Sequence, residues 1–285
     1  MRSNLLFRRL VITGVAGWMA VFAVLPTLVL IVVSLLQRGT ANPVEPVVTL
    51  ANYARLFEPA IFRIVLDSLA MAGMAMLLCL LAGYPMAYII ARAPAARRQL
   101  LLLLVMIPFW TNSLIRTYAL VAVLKANGVL NMFLLATGLI SQPLQLMYTQ
   151  TAVFIGLVYT LLPFMILPLY ASILRLDARL HEAARDLGAS RFQAFRRITL
   201  PLTMPGIISG SMLVFLPALG MFYVSDVLGG ARSILLGNYI RDQFLTARNL
   251  PMGSAASIAM TAIMGMMLLV YYSSIRRSGR QEEEA

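Results

Sequence analysis

Residues 151–174 read TAVFIGLVYTLLPFMILPLYASIL. No charged side chain interrupts the run, and as a helix rising about 1.5 Å per residue it is long enough to cross about 30 Å of hydrocarbon. Outward from it, four more charge-free runs occupy residues 10–36, 68–91, 202–224 and 254–275, and a sixth, 100–124, carries only Arg116. The expectation is an all-α integral membrane protein with six transmembrane helices in a single domain, 1–285. The run 132–140 is too short to span and is expected at the interface or packed in a loop. Composition agrees: 60% of the 285 residues are hydrophobic and 12% charged, far from the balance of a water-soluble domain.

The formal net charge of +12 would suggest nucleic acid in a soluble chain, but its distribution points elsewhere. With the N-terminus inside, segments 1–9, 92–99, 175–201 and 276–285 hold 15 of the 23 Lys and Arg in 54 residues, against 7 in the 86 residues of segments 37–67, 125–150 and 225–253. Basic residues concentrate on the cytoplasmic side of membrane proteins, so both termini are expected in the cytoplasm. No nucleic-acid partner is implied. The first run follows Arg8 and Arg9 but is longer than the apolar core of a signal peptide, and five more runs follow it; it is read as a retained anchor. One cysteine, Cys79, and one histidine, His181, exclude a disulfide framework and Cys- or His-rich metal sites.

Pro26, Pro85, Pro108, Pro163, Pro168 and Pro217 fall inside the apolar runs, where each removes a backbone donor and kinks its helix. Small residues such as Gly83, Gly156 and Gly210 allow helices to approach closely. Asn42, Pro43 and Pro46, and again Gly229 and Gly230, read as turns. Glu282 to Glu284 read as a solvated tail.

The most informative segment is 177–201, DARLHEAARDLGASRFQAFRRITLP. Asp177 can cap a helix whose apolar positions Leu180, Ala184 and Leu187 recur at helical spacing. Gly188 can take positive φ and end it, and Ser190 with Gln193 three residues later has the capping-box pattern for a second helix. The spacing therefore predicts helix, glycine turn, helix. Ala183 and Ala184 permit close approach by another surface beside Glu182, Arg185 and Asp186, which suits docking into a cytoplasmic partner. A basic, topogenic loop that happens to be helical is the other reading. His181 is read as a solvated loop histidine.

The pattern Glu182-Ala183-Ala184, three residues, Gly188, nine residues, Ile198, one residue, Leu200-Pro201 matches the EAA motif of bacterial ABC-importer permeases, and the chain is identified as resembling that family. The resemblance implies a MetI-like ABC permease bundle in the bacterial inner membrane. It also implies that Glu182, Ala183, Ala184 and Gly188 meet the ATPase. Further stretches, LAGYPMAYIIAR (81–92), IPFWTNSLIRTYAL (107–120), LPFMILPLY (162–170), PLTMPGI (201–207) and FYVSDVLGGA (222–231), resemble the spermidine/putrescine permeases of the PotB type. The partners so implied are an ABC ATPase dimer that binds ATP and Mg, a second, PotC-like permease subunit, a periplasmic or extracellular polyamine-binding protein, and membrane lipid. This subunit itself carries no P-loop and needs no cofactor.

A passage for a polyamine should offer carboxylates and aromatic faces to ammonium groups. Asp226 follows Tyr223 and Phe222 by three and four residues, which on a helix places all three on neighbouring faces. Trp110, beyond the Pro108 kink, could add a ring, and Asp67 borders the second run. Each also has a structural reading: aromatics such as Trp18, Tyr53 and Tyr271 anchor helices at interfaces, and Asp226 and Asp67 can cap helices or pair with Arg63 or Arg232. Arg116 would repel a cation; it is expected to snorkel to the nearer membrane face. Competing readings are an ABC permease for another cationic or small polar solute, a secondary transporter of the same topology, and an intramembrane enzyme. The enzyme is disfavoured because no apolar run contains a carboxylate or histidine.

Overall fold

The computed structural model describes residues 2–39, 43–230 and 234–283, with the side chains of 2–10, 178, 270 and 274–283 left out. Asn42, Arg232 and the side chains of Arg8, Arg9 and Glu282 to Glu284 therefore lie outside the described residues. The chain is predominantly helical. Among the described residues five helices are long and apolar enough to span a membrane: Val11–Ser34, Pro59–Arg92, Ser113–Ala136, Gln150–Leu174 and Leu250–Ser273. A sixth is a bent pair, Arg191–Leu202 and Met204–Gly220, meeting at 64°.

By contacts the chain divides into two compact units, Met1–Arg63 with Tyr239–Ile263, and Ile64–Asn238 with Met264–Ala285. The first unit opens with α1 (Arg2–Met19), a π-turn at Ala20–Val24, and α2 (Leu25–Ser34). The π-turn has a local cause. Pro26 has no N–H and its ring crowds the preceding turn, so the chain widens there, and the Leu25 N–H reaches back to Ala20 O. The fold is all-α as expected, with one short antiparallel ladder added between β1 (Leu36–Gln37) and β2 (Glu45–Val48). The β-branched pair Val47 and Val48 favours this extended pairing. Beneath it α3 (Ala51–Leu56) carries buried Asn52, whose amide donates to Ser34 O and Leu36 O at 2.9 and 2.8 Å. The Tyr53 hydroxyl bonds Ser34 Oγ at 2.7 Å, and its ring packs on a core of Leu56, Met252, Ala255 and Ala256.

The second unit holds most of α4 (Pro59–Arg92), then α5 (Ala95–Met106), α6 (Ser113–Leu124), α7 (Val129–Ala136) and α8 (Gln150–Leu174). The third apolar run is not one helix. Pro108 diverts residues Ile107–Trp110 into a 3₁₀ turn, Thr111 is extended, and Asn112 caps α6 by accepting from Leu114 N–H at 2.8 Å. The apolar stretch of spanning length accordingly starts at Ser113 and runs through α7 to Ala136, past 124 and into the run expected at the interface or in a loop.

Next come α9 (Ala178–Asp186), α10 (Arg191–Ala194), a π-turn at Phe195–Thr199, α11 (Leu200–Leu202) and α12 (Met204–Gly220). The centre of this unit is the α8–α12 contact. Leu157, Leu161, Met165, Ile166 and Leu169 are fully buried there with Val214. Gly206 and Gly210 make the approach possible: a Cβ on the first would stand 2.5 Å from Ser172 Cβ, and on the second 2.8 Å from Met165 Sδ. With lipid as apolar as the helices themselves, such close packing holds helices together in a membrane.

Candidate functional site

Two regions of the second unit carry unusual chemistry. The first is the helix–turn–helix segment from Asp177 onward. Asp177 Oδ1 accepts from Arg179 N–H at 3.0 Å and starts α9. At its end Gly188 has φ +78, its N–H reaches Arg185 O at 2.8 Å and that of Ala189 reaches Ala184 O at 2.9 Å, the paired bonds of a Schellman end. A Cβ at Gly188 would meet nothing within 4 Å, so backbone conformation alone requires glycine. Ser190 and Gln193 then form a complete capping box for α10.

Side-chain placement departs from the periodic expectation. Of the apolar stripe only Ala184 is buried; Leu180 is 43% and Leu187 88% exposed. Within the alanine pair, therefore, Ala183 alone presents to the surface with Glu182, while Ala184 packs inward. Leu187 and Phe192, the latter 71% exposed, flank the glycine turn as projecting apolar side chains. A cavity of about 580 Å³ between the two helices is lined by Ala183, Ala184, Gly188, Ala194 and Ile198. The sequence reading missed the two projecting side chains, although their positions on either side of Gly188 were a signal.

His181 is not a solvated loop residue. Its Nε2 lies 2.9 Å from Oγ1 of Thr199, a buried residue, and 3.5 Å from Arg92 Nη2. Its Nδ1 is buried without a hydrogen-bond partner. Burial, and then the positive charges of Arg92 and Arg185, hold its pKa below the ordinary imidazole value, because each disfavours the imidazolium.

The second region lies where α12 ends. Met221, at φ −79 and ψ 60, breaks the helix, which resumes as α13 (Phe222–Val224) and a π-turn at Ser225–Gly229. Phe222 and Tyr223 meet edge-to-face with ring centroids 6.4 Å apart. Asp226 sits on the π-turn and accepts from the Asn238 amide. That amide also donates to Phe222 O at 3.2 Å, while Asn238 Oδ1 accepts from Leu235 N–H at 3.1 Å. Asn238 is buried and so clasps the turn from inside. Asp67 is exposed, and its neighbour Ser68 accepts from Leu236 N–H at 2.7 Å. Asp67 thus stands one residue from a bond to the Asn238 segment. Tyr148, with φ 61, donates its N–H to Leu228 O at 2.8 Å and keeps its ring 59% exposed. A tyrosine at positive φ is uncommon; neither Tyr148 nor Asn238 was anticipated, since their roles arise from contacts distant in sequence.

Trp110 is brought to neither region by the described contacts. It is 77% exposed and borders a hollow on α5 with Leu100, Leu103 and Met106. Arg116 also departs from expectation. It does not snorkel: it is 7% exposed, with its guanidinium carbon 5.4 Å from the Phe109 ring centroid and 5.9 Å from that of Tyr159. Its Nε and Nη1 are buried without hydrogen-bond partners. The α6 turn that carries it faces α8 and not the lipid, which decides the outcome.

Membrane-length helices, one of them preceded by a helix–glycine–helix segment with exposed apolar side chains, define a polytopic membrane protein. The chain belongs to the family of binding-protein-dependent transport system inner membrane components, which it matches over residues 80–281. It is 52% identical over 276 residues to the spermidine/putrescine transport system permease protein PotB of Salmonella typhimurium strain SL1344, covering 97% of this chain and 96% of that protein. To the protein of the same name from Escherichia coli K12 it is 53% identical over 272 residues, 95% of this chain and 99% of the relative; to that of Haemophilus influenzae, 48% over 277 residues, 97% of each. In fold it resembles a chain of the bacterial alginate ABC transporter crystallised with an alginate pentasaccharide-bound periplasmic protein, with TM-score 0.77 and 20% identity over 97% of this chain and 95% of that one.

Proposed function

We propose that this chain is one of two permease subunits of an ATP-driven importer that moves polyamines into the cytoplasm by alternating access. The observation that carries the substrate class is the Asp226 turn. A carboxylate held by Asn238 stands three and four residues from an edge-to-face pair of rings, Tyr223 and Phe222, with the Tyr148 ring mounted on the same turn through Leu228. Carboxylate and aromatic faces are what a chain of ammonium groups seeks. The naming of relatives about half identical in sequence, as spermidine/putrescine permeases, supports the same class.

In this reading Glu182, Ala183 and the projecting Leu187 and Phe192 dock on a cytoplasmic ATPase dimer that binds ATP and Mg. Gly188 sets the angle between the two helices, and Ala184 packs behind them. Both termini are cytoplasmic, as the Lys and Arg distribution favours. A second, PotC-like permease completes the path, a periplasmic or extracellular binding protein delivers the substrate, and this subunit performs no chemistry of its own. Closure of the ATPases displaces the loop, and the helices interrupted at Pro108, Thr203 and Met221 follow as segments.

The test is uptake of labelled spermidine and putrescine by the reconstituted complex. ATP-dependent uptake that needs the ATPase is expected. Equal flux without the ATPase would instead establish a secondary transporter, and ATP-dependent uptake of other solutes with none of polyamine would remove the substrate assignment.

A further inference from the structure

Two rows of side chains face each other where the loop joins the membrane helices. On α4, Tyr84, Tyr88 and Arg92 recur every four residues and so share one face. On the segment that follows α10, Phe195, Thr199 and Thr203 do likewise. Tyr84 OH lies 3.0 Å from Thr203 Oγ1, and its ring meets Phe195 edge-to-face at 5.7 Å. Arg92 stacks over Tyr88 at 5.2 Å. Between the rows at the loop end stands His181 of α9, its Nε2 between Thr199 Oγ1 at 2.9 Å and Arg92 Nη2 at 3.5 Å.

We infer that His181 is the positioning residue that locks α9 to the end of α4 and to the Thr199 segment, so that displacement of the loop is delivered to α4 as well as to α12. This rests on the importer reading above. Without the imidazole, α9 is tied to the bundle by its covalent ends and by packing on α10. With it, α9, the Thr199 segment and α4 share one polar node, and a push on Glu182 or Ala183 reaches a helix remote in sequence. Arg92 only donates, so Nε2 presents its lone pair, which accepts from the Thr199 hydroxyl at 2.9 Å and is shared with the more distant Arg92 guanidinium at 3.5 Å. The neutral ring is the form that fits. Protonation would fill that lone pair and place a third positive charge between Arg92 of α4 and Arg185 of α9, so the lock opens as the loop-side pH falls through the lowered pKa of His181. Above it the lock is intact.

The measurement is polyamine taken up per ATP hydrolysed by the reconstituted complex, with wild-type uptake established first as the separate test of the importer reading. His181→Ala and Thr199→Val should each cut uptake per ATP roughly tenfold while ATP hydrolysis continues, as loss of a hydrogen bond to a charge-linked node would. The double variant should fall no further, because both remove one link. His181→Gln, whose side-chain oxygen can occupy the Nε2 position, should restore uptake per ATP to within about twofold and abolish its decline on acidification. Uptake per ATP within about twofold of wild type in both His181→Ala and Thr199→Val, or an unaltered acid decline in His181→Gln, overturns the inference. Should His181→Ala fail to assemble, Thr199→Val and the pH profile of His181→Gln still decide.

Discussion

The side-chain amide of Asn238 donates to the carboxylate of Asp226 and, from the same nitrogen, to the carbonyl of Phe222. One buried residue thereby fixes both the negative charge and the backbone of the aromatic pair that precedes it. Asp226→Asn keeps an oxygen for Asn238 but removes the charge. Uptake of polyamine is expected to weaken roughly tenfold, with assembly intact, because a charge-assisted contact exceeds a neutral one by about 1–1.5 kcal/mol, and about 1.4 kcal/mol is tenfold in affinity. Unchanged uptake kinetics would remove Asp226 from the path.

Asn238→Leu should act through the fold. It leaves the buried Leu235 N–H without its acceptor and takes one donor from the Phe222 carbonyl, which keeps the Ser225 N–H, a loss of about 1–3 kcal/mol for the orphaned group. A lowered thermal midpoint is expected in addition to weakened uptake, whereas Asp226→Asn should affect uptake alone. A midpoint equal to wild type in Asn238→Leu would show that the clasp does not hold the turn.

Arg116 carries a full positive charge among buried side chains, with two rings as its described partners and two orphaned donors. Two cation–π contacts of about 0.5–2 kcal/mol each fall short of a desolvation penalty of several kcal/mol for a buried ion. Arg116→Met, of similar length and apolar, is therefore expected to raise the thermal midpoint of the purified complex, by about 1 kcal/mol or more of stability. A lowered midpoint would mean that the ring contacts outweigh the burial.

Substitution at Gly188 separates backbone from contact. Its added Cβ would meet open space, so Gly188→Ala should cost only the left-handed conformation, about 1–2 kcal/mol, seen as weakened copurification with the ATPase. Gly188→Asn, which tolerates that conformation better, should retain more of the complex than Ala. Equal loss in both would argue that φ is not what the turn requires.

Gly206 and Gly210 respond differently, because space rather than φ is limiting. Gly210→Leu would drive its side chain into Met165 and its backbone, and overpacking of a tight helix contact costs about 1–3 kcal/mol or more. Loss of the protein from the membrane fraction is expected, and normal expression with normal uptake would show that α8 and α12 can separate there.

Much of this was legible before any coordinates. The caps at Asp177 and Ser190, the turn at Gly188 and the long apolar runs each depend on residues within a few positions of one another. Phe222, Tyr223 and Asp226 could be grouped by spacing for the same reason. Their clasp could not, since Asn238 lies outside any periodic pattern and its partners are twelve and sixteen residues away. Trp110 fits the chemistry of a cation path, but in the 3₁₀ turn Ile107–Trp110 it is exposed beside α5, with no described contact to the Asp226 region. From their surroundings in sequence His181 reads as solvated and Arg116 as snorkelling, whereas His181 is half-buried against Arg92 and Thr199 and Arg116 is buried beside Phe109 and Tyr159.

Sequence by itself determined that this chain lives in a membrane, where its helices can run, and that a capped helix pair turns on Gly188. These follow from transfer of apolar side chains out of water, from backbone sterics and from hydrogen bonds between near neighbours. Tertiary structure alone decided that Arg116 is buried against Phe109 and Tyr159, that His181 bridges Thr199 and Arg92, that Asn238 grips Asp226, and that α8 and α12 touch through Gly206 and Gly210. Each is a contact between segments that packing brings together, and a burial cost or a hydrogen-bond partner exists only once they meet.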